Sequence, residues 1–399
     1  MADNSHIRLG KRVKKSKAHP FGWEYMAQIP PDEPCIVALP GSDADNSKKA
    51  NGFAKMIEEI LKDKRMPIYS VEYELAGRIS VADREAMLNH FGQGSPNSPL
   101  LRGRAEDNGY IPQYIRELYA KTFAPRLRGE DGTRLSIAQT AQRLNMITFV
   151  NHCQGSTVSF QLERLLAEDL KSLGHSEKVQ NYLLKQVHNV DVAPVIPYGI
   201  TQTTTFKFAS FADEKVTSVR TPQSEYILQR KREHERFMAD INGNQAARTA
   251  GHRPFTMNFS LFRPTGNETV FAVNNMYPVE VQKDEDFDGI EHTFDSYSDK
   301  DDDYRTKQGD QLSQAFHEVV NWLAEHSKKN QKALTELPDI FKEPRFSRII
   351  ARAQNNRYDF ITKETGIMKA RRGKPAPQPR PSRSPTTADA PFPRRGSSR

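Results

Sequence analysis

The chain has 399 residues, of which 36% are hydrophobic and 27% charged, and it contains two cysteines. That length suits one large domain or two ordinary ones, and the low cysteine content excludes a scaffold held together by disulfides. The longest apolar runs, such as Met146–Val150, are far shorter than the roughly 18 residues of a membrane-spanning helix. The basic N-terminus also lacks the apolar stretch of a secretory signal. We therefore expect a cytoplasmic protein without a transmembrane segment, although export by a route that needs no signal peptide stays open.

The net charge of +8 belongs to the two ends of the chain rather than to its body. Residues 369–399 carry nine Lys and Arg against a single Asp, and residues 1–19 carry six against one. Residues 20–368 are therefore mildly acidic, with 43 basic and 48 acidic side chains. Because the excess positive charge lies outside the body, a nucleic-acid enzyme with a basic cleft is not indicated.

Composition divides the chain into three parts. Residues 1–19 predict a loose basic arm, and residues 20–368 predict one folded domain. Residues 369–399 hold seven prolines and one large apolar side chain, Phe392, so they cannot bury enough surface to offset their ordering entropy. We predict a disordered tail there, which could bind an anionic surface or a protein partner through its charge. A tail that only improves solubility is the alternative.

Between the two ends, short apolar runs alternate with helical patterns. Cys35–Leu39 is an apolar run next to prolines, which is typical of a buried strand, and Lys49–Lys64 has apolar residues at helical spacing. Further strands are predicted at Pro67–Val71, Met146–Val150, Gln186–Val195, Thr204–Phe211 and Glu268–Asn274, and further helices at Ile111–Phe123, Ser136–Leu144, Ser156–Leu173, Gln223–Asp240 and Gln308–His326. This alternation predicts an α/β fold with a mostly parallel central sheet flanked by helices.

The segment from Asn151 to Ser156, with the sequence NHCQGS, joins a predicted strand to a predicted helix through a tight turn. Cys153 lies at its apex, where the free N–H groups and the positive end of the helix dipole favour the thiolate, the reactive form of the side chain. The backbone N–H of Gln154 can donate to an oxyanion. A buried structural cysteine at the edge of the sheet is the alternative.

This turn resembles the nucleophile elbow of the α/β-hydrolase family, in which small residues flank the segment x-nucleophile-x. Gly155 and Ser156 match the small positions after the nucleophile, whereas Asn151 replaces the usual first glycine. Cysteine replaces the usual serine, as it does in dienelactone-hydrolase-like members. The resemblance extends over roughly residues 33–327 and implies an α/β-hydrolase-like fold with a Cys-His-Asp triad.

The resemblance assigns the remaining triad residues in the family's chain order of nucleophile, acid and histidine. Asp213, just after the predicted strand Thr204–Phe211, would orient the ring of His292. His292 would take the thiol proton and later deliver it to the leaving group. Residues 217–265 would then be an insertion, such as a lid. An ordinary strand-end aspartate and a solvated loop histidine are the alternatives.

A second oxyanion donor is expected in the loop after the strand Cys35–Leu39. Gly41 allows the backbone to approach closely, so the resemblance points to the N–H of Ser42. A plain turn at Pro40–Gly41 is the alternative. The other cysteine, Cys35, is expected in the core.

Together these features predict a hydrolase that cleaves a carboxylic ester or a thioester through a cysteine acyl-enzyme. Its substrate would be a small molecule or an acyl compound, and no cofactor is implied. The alternative is a catalytically inactive hydrolase-fold protein that binds partners through its basic ends. The unusual residues Asn151, Cys153 and Pro40 favour this alternative.

Residues 284–295 form a competing candidate site. Asp284, Asp286 and Asp288 match the first half of a calcium loop, and Asp295 falls at its twelfth position. The residues before it are β-rich, however, where an EF-hand needs a helix. A solvated acidic loop is therefore the expected structure.

Overall fold

A computed structural model describes the chain at residues 7–41, 47–73, 111, 113–196, 199–210, 260–262, 266–273, 306–330 and 343–349. Within these ranges the strands are β1 (Ile7–Arg12), β2 (Trp23–Met26), β3 (Cys35–Leu39), β4 (Ile68–Tyr73), β5 (Ile147–His152), β6 (His188–Val192), β7 (Thr204–Ser210), β8 (Ser260–Phe262) and β9 (Glu268–Val273). The helices are α1 (Ser47–Ile60), α2 (Gln113–Thr122), α3 (Ala124–Leu127), α4 (Ile137–Asn145), α5 (Gly155–Ser172), α6 (Glu177–Leu184) and α7 (Thr306–Asn330).

The described strands form one sheet in the order β2-β1-β4-β3-β5-β6-β7-β9-β8. From β4 to β9 every neighbouring pair is parallel. Only the ends of the sheet are mixed, because β1 is antiparallel to both β2 and β4, and β8 is antiparallel to β9. The predicted α/β fold with a mostly parallel sheet is confirmed.

Helices cover both faces of the sheet, which explains why the central strand β3 is a continuous apolar run rather than an alternating pattern. The helices α1 and α7 pack on one face, where Phe53, Phe316 and Trp322 belong to a shared core with β3, β6 and β7. The helices α2, α4, α5 and α6 pack on the other face, where Leu118 and Leu162 join a second core. All five residues of β3 are buried, including Cys35.

The strand order reverses between β3 and β5. From β3 the chain passes through α1 to β4 on one side, whereas β5, β6 and β7 follow one another on the other side. Loops that leave the carboxyl ends of two such strands diverge, and the crevice between them is where open α/β sheets bind ligands. The topology therefore predicts a binding site near the ends of β3 and β5, at Leu39 and His152.

The prediction of a loose arm over residues 1–19 is wrong for Ile7–Arg12. This segment is strand β1, which pairs with β4 from Ile7 opposite Tyr73 to Lys11 opposite Tyr69. Ile7 and Leu9 are buried, because they alternate with the polar residues of the strand and face the core. The basic composition concealed this alternation.

Most other predicted elements are present, with ends that shift by a few residues. The predicted strand Gln186–Val195 is shorter, because β6 spans only His188–Val192, and the helix α6 had not been predicted. The helix Gln223–Asp240 and the tail 369–399 lie outside the described residues. So does the segment 217–265 except for residues 260–262, which form the edge strand β8. Every helix in the described part of the chain is too short or too polar to span a membrane.

Strand β1 makes a testable contribution to stability. Leu9→Ala should lower the free energy of unfolding by about 2–4 kcal/mol, because it removes a buried side chain from the core under α2. Arg8→Ala on the same strand should change it by no more than about 0.5 kcal/mol, since the Arg8 side chain is half exposed and its ion pair with Glu72 is long. Chemical denaturation of both variants measures the difference. Equal stabilities would mean that β1 does not hold the sheet together.

Candidate active site at the turn between β5 and α5

Cys153 lies between the last residue of β5 and the first turn of α5, at the carboxyl edge of the sheet. Its backbone has a φ of 52°, in the left-handed region that residues other than glycine seldom adopt. The side chain is 7% exposed. A turn of this kind lifts a side chain off the end of its strand and directs it towards the crevice above the sheet.

Hydrogen bonds on both sides of Cys153 hold this conformation. Its N–H donates to the carbonyl of Val192 at 3.1 Å, which extends the pairing of β5 with β6. Its carbonyl accepts from the N–H of Ser156 at 3.1 Å and from the Ser156 hydroxyl at 2.6 Å. The same hydroxyl accepts from the N–H of Val195 at 3.2 Å, so the first turn of α5 is tied to the loop after β6. A second left-handed residue, Ala193 with a φ of 49°, lies beside the turn at the end of β6.

Gly155 explains why a small residue must follow the turn. A Cβ atom at this position would lie 2.2 Å from the carbonyl oxygen of Leu39, at the end of β3. Because that neighbour is backbone, it cannot move aside as a flexible side chain could. The first residue of α5 therefore fits against β3 only without a side chain.

The loop after β3 reaches the cysteine itself. A Cβ atom on Gly41 would lie 3.0 Å from the Cβ atom of Cys153 and 3.4 Å from Nδ1 of His152. The backbone of this loop is thus in contact with the candidate nucleophile. Ser42, the expected second oxyanion donor, follows directly but lies outside the described residues.

The first oxyanion donor, the backbone N–H of Gln154, is described. Gln154 is the N-cap residue of α5, and its carbonyl accepts from the N–H groups of Thr157 and Val158. No described residue accepts a hydrogen bond from its own N–H. The N–H group is therefore available next to the thiol, as an oxyanion hole requires.

Asn151 replaces the first small residue of the family pattern, and its surroundings explain how it fits. It is fully buried, and its Nδ2 donates to Oδ1 of Asp191 at 2.7 Å on the neighbouring strand β6. The two residues lie opposite each other in the pairing of β5 with β6. The larger side chain is accommodated because the face of the sheet towards α5 is polar at this point.

Asp191 continues this polar row to β7 and β9. Lys207 lies opposite Asp191 and is fully buried, as is Glu268, whose Oε1 lies 3.2 Å from Nζ of Lys207. Burial raises the pKa of Asp191 to about 6, although Lys207 and the hydrogen bond from Asn151 oppose the rise. Burial also acts to raise the pKa of Glu268, but Lys207 and the donors around Thr201 outweigh it and leave that pKa below its ordinary value. A buried carboxyl group thus lies beside the strand end that carries the turn, and Lys207 and Glu268 continue the polar row away from the carboxyl edge.

Helix α5 joins the same polar region through Glu163. Its carboxyl group accepts from the N–H of Gln202 at 2.7 Å and from the hydroxyl of Thr203 at 2.6 Å. Burial raises the pKa of Glu163 to about 7, against the effect of these hydrogen bonds. The helix that carries the N-terminus at Cys153 is therefore anchored to the sheet by polar contacts as well as by its leucines.

Of the predicted site residues, the structure brings together Cys153 and Gln154, with Gly41 beside them. Asp213 and His292 lie outside the described residues, as does the segment 284–295 with its calcium-loop pattern. In the part of the chain that is described, no three His, Cys, Asp or Glu side chains are grouped so that they could hold a metal ion.

Asp191 and Lys207 are not among the residues that the sequence predicts near the site. A signal was present, because polar residues alternate with Val190 and Phe206 in strands that had been predicted from their apolar content. That alternation indicates one apolar and one polar face. It does not show that the polar face is buried, because this depends on the helix that covers it.

Gly155→Ala tests the close approach of α5 to β3. The added methyl group should lower the free energy of unfolding by roughly 1–3 kcal/mol or more, because it meets the Leu39 carbonyl. Gly52→Ala in the interior of α1 is a matched control, since nothing lies within 4 Å of its added Cβ. It should raise stability by about 0.5–1 kcal/mol. If chemical denaturation showed that both substitutions change the free energy of unfolding in the same direction, this would contradict the packing described for the turn.

Asp191→Asn tests the buried carboxyl group behind the turn. Since burial raises the pKa of Asp191 from 3.8 to about 6, folding takes up a proton between these values. The stabilisation that the protonated Asp191 carboxyl group contributes is therefore complete below about pH 4, and it is lost as the pH rises through about 6. Asn resembles the protonated form of Asp191. As the pH rises from about 4 to about 7, the free energy of unfolding of the variant should therefore increase by on the order of 2 kcal/mol relative to that of the parent. Unfolding curves across this range measure the difference, and a constant difference would contradict the assignment.

A scan against protein-family models finds no match for this chain, and a search of curated proteins finds none either. The chemistry of the turn is therefore inferred from its geometry, its charges and the resemblance of its sequence.

Proposed function

We propose that Cys153 is the nucleophile of an acyl-transfer site that hydrolyses a carboxylic ester or a thioester. The observation that carries this proposal is the left-handed backbone of Cys153 at the apex of a strand–turn–helix unit. Such a conformation costs about 1–2 kcal/mol for a residue with a side chain. Strain of this kind is concentrated at functional sites, where the surrounding structure holds a reactive group in place.

The position of Cys153 supports the same function. It lies where the strand order reverses, between β3 and β5, and Gly41 of the β3 loop touches it. An α/β-hydrolase oxyanion hole uses the N–H after the nucleophile together with an N–H from the loop after the third strand. Both backbone segments meet here, and the N–H of Gln154 is free to donate among the described residues.

The reaction would proceed in two steps. The thiolate sulfur of Cys153 attacks the substrate carbonyl carbon, a C–S bond forms, and the carbonyl oxygen becomes an oxyanion that the backbone N–H groups stabilise. The oxyanion collapses, the bond to the alcohol or thiol leaving group breaks, and the leaving group takes a proton from the general acid. Water then attacks the acyl-enzyme, giving up one proton to the base, and the carboxylic acid product leaves as the thiol is restored.

His292 and Asp213 complete the proposal as base and orienting acid. Asp213 follows the last residue of β7, Ser210, by three positions. The carboxyl end of β7 lies on the same edge of the sheet as Cys153, because β5, β6 and β7 are parallel. A carboxylate that follows β7 is therefore well placed in sequence to orient a histidine above the turn.

The alternative remains an inactive hydrolase-fold protein that binds partners through its basic ends. One of the three residues that favour it has a different explanation, since Asn151 is accommodated by its hydrogen bond to Asp191. The thiol and Pro40 are the remaining arguments for inactivity. Hydrolysis assays decide between the two functions.

The proposal is tested by pairing thiol labelling with hydrolysis of a panel of p-nitrophenyl esters and acyl thioesters. Iodoacetamide should label Cys153 near neutral pH and spare Cys35, which is fully buried with its pKa raised to about 11 by that burial. Cys153→Ala and His292→Ala should each remove most of the hydrolysis, by at least about 100-fold, because members of a triad act as a unit. Asp213→Asn should also lower the rate.

Cys35→Ala is the matched control, since it removes the other thiol without touching the turn. Hydrolysis unaffected by Cys153→Ala would overturn the proposal. Preferential labelling of Cys35 in the folded protein would do the same. Full activity of His292→Ala alone would leave Cys153 as the nucleophile and remove the assigned base.

A further inference from the structure

Tyr73 is the last residue of β4 and lies at the same edge of the sheet as Cys153. It is 1% exposed, and its ring stacks on Tyr114 of α2 with 5.7 Å between the centroids and 17° between the planes. The ring is thus held from one side by a helix. Its hydroxyl group extends towards the loop that leaves the neighbouring strand β3.

The Tyr73 hydroxyl donates a hydrogen bond to the carbonyl of Pro40. The carbonyl oxygen of Gly41 lies 3.4 Å from the same hydroxyl. Burial raises the pKa of Tyr73 well above its ordinary value, and the nearby thiol of Cys153 adds to the rise. The phenol is therefore protonated, and remains a hydrogen-bond donor, near neutral pH.

This hydrogen bond orients the backbone that touches the nucleophile. In a planar trans peptide unit the carbonyl and the N–H point in opposite directions. Holding the Pro40 carbonyl on the side of the phenol therefore turns the N–H of Gly41 to the other side. No described residue accepts a hydrogen bond from that N–H, and a Cβ atom on Gly41 would lie 3.0 Å from the Cβ atom of Cys153.

We propose that Tyr73 is a positioning residue, which fixes the Pro40–Gly41 loop so that the backbone N–H of Gly41 faces the oxyanion formed at Cys153. The proposal rests on the acyl-transfer function proposed above and extends it to the fourth strand. Tyr73 acts through the loop rather than on the substrate, because its one O–H is already committed to the Pro40 carbonyl. Without the hydroxyl, the loop would keep its sequence and lose its fixed orientation.

Two reactions of Cys153 separate this role from a general loss of structure. Alkylation by iodoacetamide needs the thiolate but forms no oxyanion, whereas hydrolysis of p-nitrophenyl butyrate passes through one. Loss of a single oxyanion donor costs about 100–1,000-fold in kcat. Since Tyr73→Phe only loosens the loop, it should lower kcat for the ester by about 10-fold or more. The KM and the rate of alkylation should change by less than about twofold.

Tyr69→Phe is the matched control. Tyr69 lies at the other end of the same strand, faces the same core, is fully buried, and donates its hydroxyl hydrogen bond to Glu33. It should lose a similar amount of stability, measured by thermal unfolding, and keep the kcat of the parent protein. The comparison therefore isolates the position of the hydroxyl from the loss of a buried hydrogen bond.

The possible outcomes are distinct. A lower kcat in Tyr73→Phe alone, with alkylation intact, supports the positioning role. An unchanged kcat overturns it while leaving Cys153 as the nucleophile. An equal loss of kcat in Tyr69→Phe, or a parallel loss of alkylation in Tyr73→Phe, also overturns it. A parent protein that alkylates at Cys153 but hydrolyses no ester or thioester overturns the acyl-transfer function itself, and this inference with it.

Discussion

The contact between Gly155 and the carbonyl of Leu39 is the constraint on which the geometry of the site depends. It brings the N-terminus of α5 directly onto the end of β3, closer than any side chain would allow. Because β5 ends at His152 and the helix begins at Gly155, two residues must make the whole turn. A regular backbone cannot reverse direction in that distance, so Cys153 takes the left-handed conformation. The strain at the thiol is thus a consequence of packing two elements tightly, and the hydrogen bonds of Ser156 hold it.

The polar row behind the turn has a different role from the apolar cores on either side of it. Asn151, Asp191, Lys207 and Glu268 are buried where leucine or valine would pack well, and burying their charges carries a desolvation cost. Their hydrogen bonds fix the register of the strands and the angles between the groups, whereas an apolar contact fixes only a distance. The row begins at Asn151 near the carboxyl end of β5, passes through Asp191 and Lys207, and ends at Glu268, the first residue of β9. It therefore ties β5, whose end carries the site, to β6, β7 and β9.

The sequence was sufficient to predict β3, β5, α5 and the turn at Cys153, because strands covered on both faces are short apolar runs and helices carry their own periodicity. It was not sufficient for β1, where the buried residues Ile7 and Leu9 stand among Arg8, Lys11 and Arg12, so that the segment resembled a basic arm. The hydrogen bonds of Tyr73 and Asp191 could not be predicted, although the alternation of polar and apolar residues in β6 was visible. They arise from strand order, since β4 lies beside β3 and β6 beside β5, and each contact joins residues more than thirty positions apart.

A thiol nucleophile changes which parts of a hydrolase site matter most. Cysteine is a strong nucleophile with a partly ionised thiol near neutral pH, so it needs less help from a base than a serine hydroxyl does. The tetrahedral intermediate carries the same oxyanion in both cases and needs the same donors. For the function proposed above, the described residues offer a thiol at a helix N-terminus, the N–H of Gln154, from which no described residue accepts a hydrogen bond, and a β3 loop held by Tyr73. Under the function proposed above, a chain with cysteine at this turn therefore depends on the fixed backbone around Gly41 as well as on its base, and the stacking of Tyr73 on Tyr114 helps to hold that backbone.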